Sequence, residues 1–487
     1  MKKLFGFLKN LDENLIKILL AGFIFLVPLW PKLPIRMIDY TYISIRLEDF
    51  YLVFMSVIFL IQLLRKKVKL DKQFLWLFIL FWTAIFASTA WGVYISKTIR
   101  LWHLGVLHAL RRVEYMIVFF MAVSVVKTKK DFFLMVNLYF LAVFLAVLYG
   151  FGQKFFNFPA VQTMNPEYAK GYLLYLTPEA RISSTFAGHY DLASYLVFGI
   201  PIMLGFYFFT KKKNYLILFI LSLIVLIYTS SRISFGAYVV ATITFLIFIR
   251  KYLFTVFVII LTVGLMLTTG ELTNRFLKTV QVRRILVDEK TGAVYIGQKI
   301  TTKELPAGSF YVKLKDQSGG SNLDLLRQQV VYEKTREATL SGEISSDQEA
   351  QYMATLAANL KPVNTVVSDI SFATRLQIEW PRAINAFKKN PLLGTGPSSI
   401  TEATDNDYLR WLGEFGILGT SLFLFIFYKL GRLVWSKNII SLGFLFGLGA
   451  LLFNATYIDV FEASKVAYTF WTVAGLFVGY SKTYEKS

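Results

Sequence analysis

Long apolar stretches alternate with short polar segments along most of the chain. Tyr215–Ile227, Phe235–Ile249 and Tyr252–Leu267 contain no charged residue. A helix rises about 1.5 Å per residue, so about 20 such residues cross the hydrocarbon core of a bilayer. Backbone N–H and C=O groups find no water partners in lipid, and a helix satisfies them internally. The pattern therefore predicts an all-α polytopic membrane protein.

The apolar pattern predicts about twelve membrane-spanning helices. We place them at residues 14–30, 48–64, 73–91, 105–126, 132–152, 188–209, 214–229, 233–249, 252–269, 405–428, 438–455 and 464–480. The chain then divides into nine helices within 1–269, a large extracytoplasmic loop at 270–404, and three helices within 405–487. The first apolar run lacks a small-residue cleavage site, so we interpret it as a retained span.

Clusters of Lys and Arg between the apolar runs predict the orientation. They are Lys2/Lys3/Lys9, Arg65–Lys69, Lys127–Lys130, Lys211–Lys213, Arg250/Lys251, Lys429–Lys437 and Lys482/Lys486. With the spans above, every cluster falls on one side of the membrane. By the positive-inside rule that side is the cytoplasm, so we expect both termini there.

Composition agrees with this fold and narrows the function. Apolar residues make up 55% of the 487 residues, and the mean hydropathy is +0.53. The net charge of +21 would indicate nucleic acid in a soluble protein, but here the basic residues flank apolar runs, so no nucleic acid partner is expected. The absence of cysteine excludes disulfides and thiol catalysis.

The segment 270–404 is the only region that is typical of a soluble protein. Its pattern predicts short strands and helices. The strands are expected at Val280–Val287, Ala293–Ile300 and Phe310–Lys315, with a hairpin turn at Lys290–Gly292, and the helices at Leu323–Leu340 and Ser346–Leu360. No catalytic motif is evident between Gly270 and Asp369, so this segment could serve either as a recognition lid or as a partner-binding insert.

Four arginines beside the predicted outer ends of spans are candidate functional residues. Arg181, Arg232, Arg375 and Arg382 all occupy such places, where the positive-inside rule least favours them. Arginine suits multidentate binding of phosphate oxygens, so several on one face would fit a lipid pyrophosphate. Each alone could equally be a side chain that snorkels to lipid headgroups. Arg232 fits that alternative least, because it lies in a very tight turn.

Two further segments carry candidate site residues. The Pro- and Gly-rich segment Asn390–Ser399 predicts a compact turn, either an anion-binding nest or a plain connector. Asp405 opens a predicted span, where it could cap the helix or act as a general base. Asp405 and Asp407 could also hold a divalent metal, but helical residues two apart do not share a face. We therefore expect no metal and no cofactor.

Three motifs in this order resemble the O-antigen ligase/O-antigen polymerase superfamily of polytopic membrane glycosyltransferases (GT-C type). The first is Arg181–Phe186 with Asp191–Leu196, and the second is Thr229–Arg232. The third is Pro391–Gly396, followed by Asp405–Leu409 and Gly416–Gly419. The resemblance covers roughly Arg181 to Phe425, interrupted by the long loop.

The resemblance implies transfer of a glycan from an undecaprenyl-pyrophosphate carrier, outside the cytoplasmic membrane, by inversion without a covalent intermediate. It implies that Arg232 and Arg375 hold the pyrophosphate, and from its own position we expect Asp405 to orient or deprotonate the acceptor hydroxyl. The family has His where this chain has Asp405, which leaves the base open and makes a ligase assignment less secure than a polymerase one. The further substrate-binding residues are expected to be Arg181, Arg382, Asn406, His189 and Ser231.

The sequence thus favours an inverting glycosyltransferase of cell-surface polysaccharide biosynthesis. Its partners would be an undecaprenyl-pyrophosphate-linked glycan, a saccharide or lipid acceptor, and the bilayer, while the oligomeric state stays open. A transporter or flippase for an anionic lipid-linked polysaccharide is the alternative, and it predicts inverted repeats and polar residues at mid-membrane. A third alternative is a membrane anchor for the long loop, which leaves Arg232 unexplained.

Overall fold

A computed structural model describes residues 2–38, 41, 44–163, 168–177, 180–269, 272–273, 280–288, 294–295, 322–340, 344, 346–368, 374–400 and 403–484. The chain forms two compact units. The helix unit comprises Met1–Thr273 and Thr374–Ser487, and the sheet unit comprises Asn274–Ala373. Residues 374–400 and 403–404 of the predicted loop therefore pack with the helices, which places Arg375 and Asp405 in one unit.

The helix unit contains a helix at each of the twelve predicted places within the described residues. They are α1 Lys2–Leu29, α2 Leu47–Leu64, α3 Lys72–Ala90, α4 Trp102–Val125, α5 Lys129–Phe155, α6 His189–Thr210, α7 Lys213–Tyr228, α8 Arg232–Phe248, α9 Tyr252–Thr269, α13 Asp407–Val434, α14 Ile439–Asn454 and α15 Ser464–Tyr484. A short helix, α12 Trp380–Lys389, follows a π-helical turn at Arg375–Glu379. A two-stranded ribbon joins β1 Arg36–Met37 to β2 Ser44–Ile45.

Length and composition identify five of the described helices as able to cross a membrane: α2, α3 with its π-helical continuation to Ile95, α5, α6 and α13. Shorter apolar helices are α7, α8, α9 and α14. The chain is thus an all-α multi-pass membrane protein in its helix unit. The number of spans stays a prediction.

Predicted cytoplasmic segments meet at one end of the helices. Asp12 of α1 binds Arg65 at 2.7 Å, and Lys17 binds Asp131 at the start of α5. Lys482 of α15 binds Asp71 at the start of α3. At the other end of α15, the Lys465 ammonium donates to the carbonyls of Trp30 (2.6 Å) and Thr185 (2.7 Å).

Helix α6 lies at the centre of the helix unit, because most of its side chains are buried. Glycines let α14 approach it closely: a Cβ at Gly443 would lie 2.7 Å from the Pro201 carbonyl, and one at Gly447 would lie 2.5 Å from the Phe198 carbonyl. Small residues at such spacing bring helix backbones together in membranes, where packing replaces the hydrophobic effect. This contact fixes the C-terminal end of α14 beside the start of α6.

The sheet unit contains an antiparallel three-stranded sheet with strand order β4-β3-β5 among its described residues. Its elements are β3 Val280–Asp288, β4 Val294–Tyr295, α10 Asn322–Leu340, α11 Glu349–Asn359 and β5 Leu360–Ser368. Prediction of β3 and of α10 is confirmed, while the predicted strand Phe310–Lys315 and turn Lys290–Gly292 lie outside the described residues. The pattern missed β5, since Pro362 argues against a strand; β5 is an edge strand, where proline is tolerated.

Candidate functional site

Arg375 and Asp405 form an ion pair in the helix unit, with Nη2 of the guanidinium donating to Oδ2 of the carboxylate. Arg375 opens the π-helical turn before α12, and Asp405 lies two residues before α13. The Arg375 side chain is 3% exposed and the Asp405 side chain is 27% exposed. The carboxylate is therefore the accessible member of the pair, and the guanidinium lies behind it.

Two tyrosine rings flank the Arg375 guanidinium. Its central carbon lies 4.3 Å from the ring centroid of Tyr457 and 5.9 Å from that of Tyr190. Cation–π contacts of this kind orient the guanidinium plane. Tyr190 is in the first turn of α6 and Tyr457 lies between α14 and α15, so three distant segments meet here.

Arg232 belongs to the same electrostatic neighbourhood. Burial raises the pKa of Tyr457, whereas the positive charges of Arg375 and Arg232 act to lower it. Arg232 begins α8, directly after the turn in which Ser230 adopts a left-handed φ of 50°. The tight turn inferred from the sequence therefore brings Arg232 towards Tyr457.

Arg181 and His189 also join the cluster. Nη1 of Arg181 lies 2.7 Å from Nε2 of His189, and because arginine only donates, the imidazole nitrogen accepts. His189 begins α6 and is buried, and Arg375 lies within electrostatic range of its ring. The structure thus brings together Arg181, His189, Arg232, Arg375 and Asp405.

The environment of Asp405 favours a base that works near neutrality. Burial raises the pKa of Asp405 to about 7; Arg375 acts to lower it, and the negative charges of Asp459 and Glu379 raise it further. A carboxylate whose pKa lies near the working pH can take a proton efficiently. This arrangement is suited to general-base chemistry on a hydroxyl group.

Asp459 holds the backbone around Asp405. Its carboxylate accepts the backbone N–H groups of Thr404 (2.8 Å), Asp405 (3.1 Å) and Asn406 (3.1 Å). Asp459 also accepts from Nη1 of Arg410 at 3.0 Å. Asp405 has a left-handed φ of 51°, a strained conformation for a residue with a side chain. The three hydrogen bonds compensate for that strain and fix the loop.

The cap of α13 is Asn406, not Asp405. An N-cap residue needs extended backbone angles, and Asn406 has them (φ −167°, ψ 102°). Its Oδ1 accepts the N–H of Leu409 at 3.0 Å, and its Nδ2 donates to the Thr456 carbonyl at 2.8 Å. The structural alternative for Asp405 is therefore wrong, because its left-handed φ is incompatible with capping.

Asp407 faces a different set of partners. It is fully buried, and its Oδ2 accepts the N–H groups of Val460 (2.7 Å) and Phe461 (3.1 Å). Within the described part of the chain, no three His, Asp or Glu side chains cluster so that they could hold a metal ion. Asp405 and Asp407 therefore have separate partners in the structure, and the absence of a bound metal stays a prediction.

The other predicted substrate-binding residues have the following surroundings. Ser231 is buried and donates to Oγ of Ser234 at 2.8 Å. Arg382 is exposed on α12 and lies within electrostatic range of Glu379. Contact of Ser231, Arg382 or Asn406 with substrate stays a prediction.

A chain of buried hydrogen bonds connects the Arg232 turn to the start of α6. Ser234 donates to Oδ1 of Asn454 (3.1 Å), Nδ2 of Asn454 donates to Oγ of Ser194 (2.7 Å), and Ser194 donates to the carbonyl of Tyr190 (2.9 Å). Polar side chains bridge helices effectively where water is absent. This chain fixes Arg232 and Tyr190 relative to each other.

The turn at Asn390–Ser399 is a connector. Its N–H groups at Thr395 and Gly396 donate to the carbonyls of Gly413 and Glu414, each at 2.9 Å. The partner carbonyls lie beside Gly416, whose φ of 62° kinks α13. These amides are engaged within the protein, which favours the connector over the anion-binding nest.

Tyr190, Tyr457 and Asp459 are not among the site residues that the sequence predicts. Tyr190 follows His189 directly, and Tyr457 precedes Asp459 by two residues in a predicted outer turn. Their closeness in sequence to His189 and Asp459 is the feature from which Tyr190 and Tyr457 could have been predicted.

Residues 217–424 match the family model described as O-Antigen ligase. A search of the curated proteins found no match, and neither did a search of the solved structures. The matched segment includes Arg232, Arg375 and Asp405. The resemblance stated from the motifs is thereby confirmed, and the class that it indicates is a membrane enzyme that processes glycans.

Proposed function

We propose that this chain, which carries an O-antigen ligase domain over residues 217–424, transfers a glycan from an undecaprenyl-pyrophosphate-linked donor to a saccharide or lipid acceptor. The reaction would take place on the outer side of the cytoplasmic membrane, in cell-surface polysaccharide biosynthesis. The predicted cytoplasmic clusters support this side, because Arg65 and Lys482 lie at the end of the helices opposite to Lys465 and Thr185.

The observation that carries the proposal is the buried Arg375 behind the more accessible Asp405. A base and an anion-binding cation must lie on either side of the anomeric carbon for direct displacement. Arg181 and Arg232 add positive charge to the same neighbourhood. Preorganised cations around a departing anion typically stabilise the transition state by several kcal/mol.

The proposed step is a single displacement with inversion. Asp405 accepts the proton of the acceptor hydroxyl while the hydroxyl oxygen forms a bond to the anomeric carbon. The bond from that carbon to the pyrophosphate oxygen breaks, and its electron pair stays on the pyrophosphate. Arg181, Arg232 and Arg375 neutralise the charge that develops there. No covalent enzyme intermediate and no metal takes part in this scheme.

The test is glycan transfer by purified protein in proteoliposomes containing polyprenyl-pyrophosphate-linked oligosaccharide. We expect Arg375→Ala to lower the transfer rate by about 100-fold or more, since a preorganised charge contact is lost. Arg100→Ala is the matched control, because Arg100 is an exposed arginine of another predicted outer loop. Full transfer by Arg375→Ala would show that the site has been assigned wrongly.

The acceptor decides between a ligase and a polymerase. In a deletion strain, single repeat units remaining in place of long-chain glycan would indicate a polymerase. Accumulation of free lipid-linked polymer would indicate a ligase. The anomeric configuration of the product tests inversion separately.

A further inference from the structure

Arg375 has two roles that conflict if they are simultaneous. In the structure its guanidinium binds Asp405. The proposed reaction, on which this inference rests, needs Arg375 on the pyrophosphate and Asp405 on the acceptor hydroxyl. One of the two contacts must give way before proton transfer.

The surroundings of Arg375 determine how an anion reaches it. The rings of Tyr457 and Tyr190 flank the guanidinium at 4.3 Å and 5.9 Å from their centroids. Carboxylates and phosphates bind a guanidinium along its N–H edge, and Asp405 occupies part of that edge. With Arg375 at 3% exposure and Asp405 at 27%, an anion that approaches from the accessible side meets Asp405 first.

We propose that the Arg375–Asp405 ion pair is a resting lock that the donor opens: the donor pyrophosphate takes the place of Asp405 on Arg375 and so releases Asp405 to serve as the base. Donor binding therefore precedes activation of the acceptor. Asp405 in the resting enzyme is held away from acceptor hydroxyls by its own ion pair, and the leaving group itself makes the base available.

The backbone around Asp405 allows this exchange without refolding of the loop. Asp459 fixes the N–H groups of Thr404, Asp405 and Asn406. Rotation of the Asp405 side chain is then sufficient to break its contact with Arg375. Pyrophosphate carries more negative charge than one carboxylate, which favours the exchange at a buried guanidinium.

The lock predicts that Asp405 competes with pyrophosphate. We would measure binding of inorganic pyrophosphate to the detergent-purified full chain by isothermal titration calorimetry. Asp405→Asn keeps the shape of the side chain and removes its charge, so we expect pyrophosphate to bind about tenfold tighter or more. Asp405→Ser, which also shortens the side chain, should give the same direction. Arg375→Ala should weaken this binding strongly, while Arg181 and Arg232 remain to hold the anion.

Glu379→Gln is the matched control. Glu379 lies within electrostatic range of both Arg375 and Asp405 but, among the described residues, forms no ion pair with either. Because its effect is only long-range, we expect a change below about threefold. Unchanged or weaker binding by both Asp405 variants, or equal tightening by Glu379→Gln, would overturn the lock.

The two hypotheses fail in different ways. Loss of transfer by Asp405→Asn without any gain in pyrophosphate affinity would leave the proposed function standing and refute the lock. Full transfer by Asp405→Asn would refute the assigned base, whatever the pyrophosphate affinity.

Discussion

The pH dependence of donor use is the sharpest consequence of the environment of Asp405. Burial raises the pKa of this carboxyl to about 7, and it is the ionised form that accepts a proton. The base is therefore present above pH 7 and lost as the pH falls. At pH 6 about one tenth of the carboxyl is ionised, so we expect kcat/KM for the donor to fall about tenfold for each pH unit below 7.

A variant that changes a nearby charge checks that the fall of kcat/KM at acidic pH (the acid limb of the profile) is due to Asp405. The negative charge of Glu379 raises the pKa of Asp405, so Glu379→Gln should lower it and shift the acid limb down by about half a pH unit. Arg375 acts in the opposite direction, but its removal also removes the leaving-group contact. Arg100→Ala should leave the profile unchanged, because Arg100 does not act on Asp405.

The assay is initial-rate transfer in proteoliposomes at subsaturating donor, from pH 5.5 to 8.5. The two phosphates of a lipid-pyrophosphate-linked glycan are both diesterified, so the donor has no group that titrates near neutrality. The limb in kcat/KM then reports the enzyme without substrate. A flat profile across this range, or an upward shift in Glu379→Gln, would refute the reasoning.

Two further predictions concern the residues that hold the site. Asp459→Ala leaves three backbone N–H groups without their carboxylate, so we expect kcat to fall about tenfold or more while pyrophosphate affinity changes little; equal losses in both would indicate general unfolding instead. Asn454→Leu breaks the buried hydrogen bonds to Ser234 and Ser194 and should lower the free energy of unfolding in detergent by about 1–2 kcal/mol. Thermal unfolding followed by circular dichroism measures that loss, and an unchanged midpoint would contradict the role of Asn454.

The sequence predicted the helices well because each must satisfy its own backbone in lipid. Helix α8 begins at Arg232 as the tight turn required, and α6 begins at His189 within one residue of its predicted start. The candidate arginines could also be predicted from the sequence. The positive-inside rule disfavours a positive charge at the outer end of a span, so Arg181, Arg232 and Arg375 are unexpected there unless they have a function.

Other features could not be found in this way. Tyr457 and Tyr190 are ordinary interfacial residues in the sequence, and only the packing of α14 against α6 brings both rings to Arg375. The capping alternative for Asp405 is wrong because its backbone has a left-handed φ, in a loop held by hydrogen bonds to Asp459, more than 50 residues away. Strand β5 was missed because Pro362 argues against a strand. The structure tolerates this proline because β5 lies at an edge of the sheet.

The sequence by itself therefore determined the class of fold, the helices and the identity of the candidate chemical groups, because hydropathy and charge act locally along the chain. Only the tertiary structure decided that Arg375 binds Asp405, that Asp459 fixes the loop, and that Asn406 caps α13. Those contacts join segments from distant parts of the sequence. Their geometry depends on helix packing and on backbone angles that no local pattern specifies.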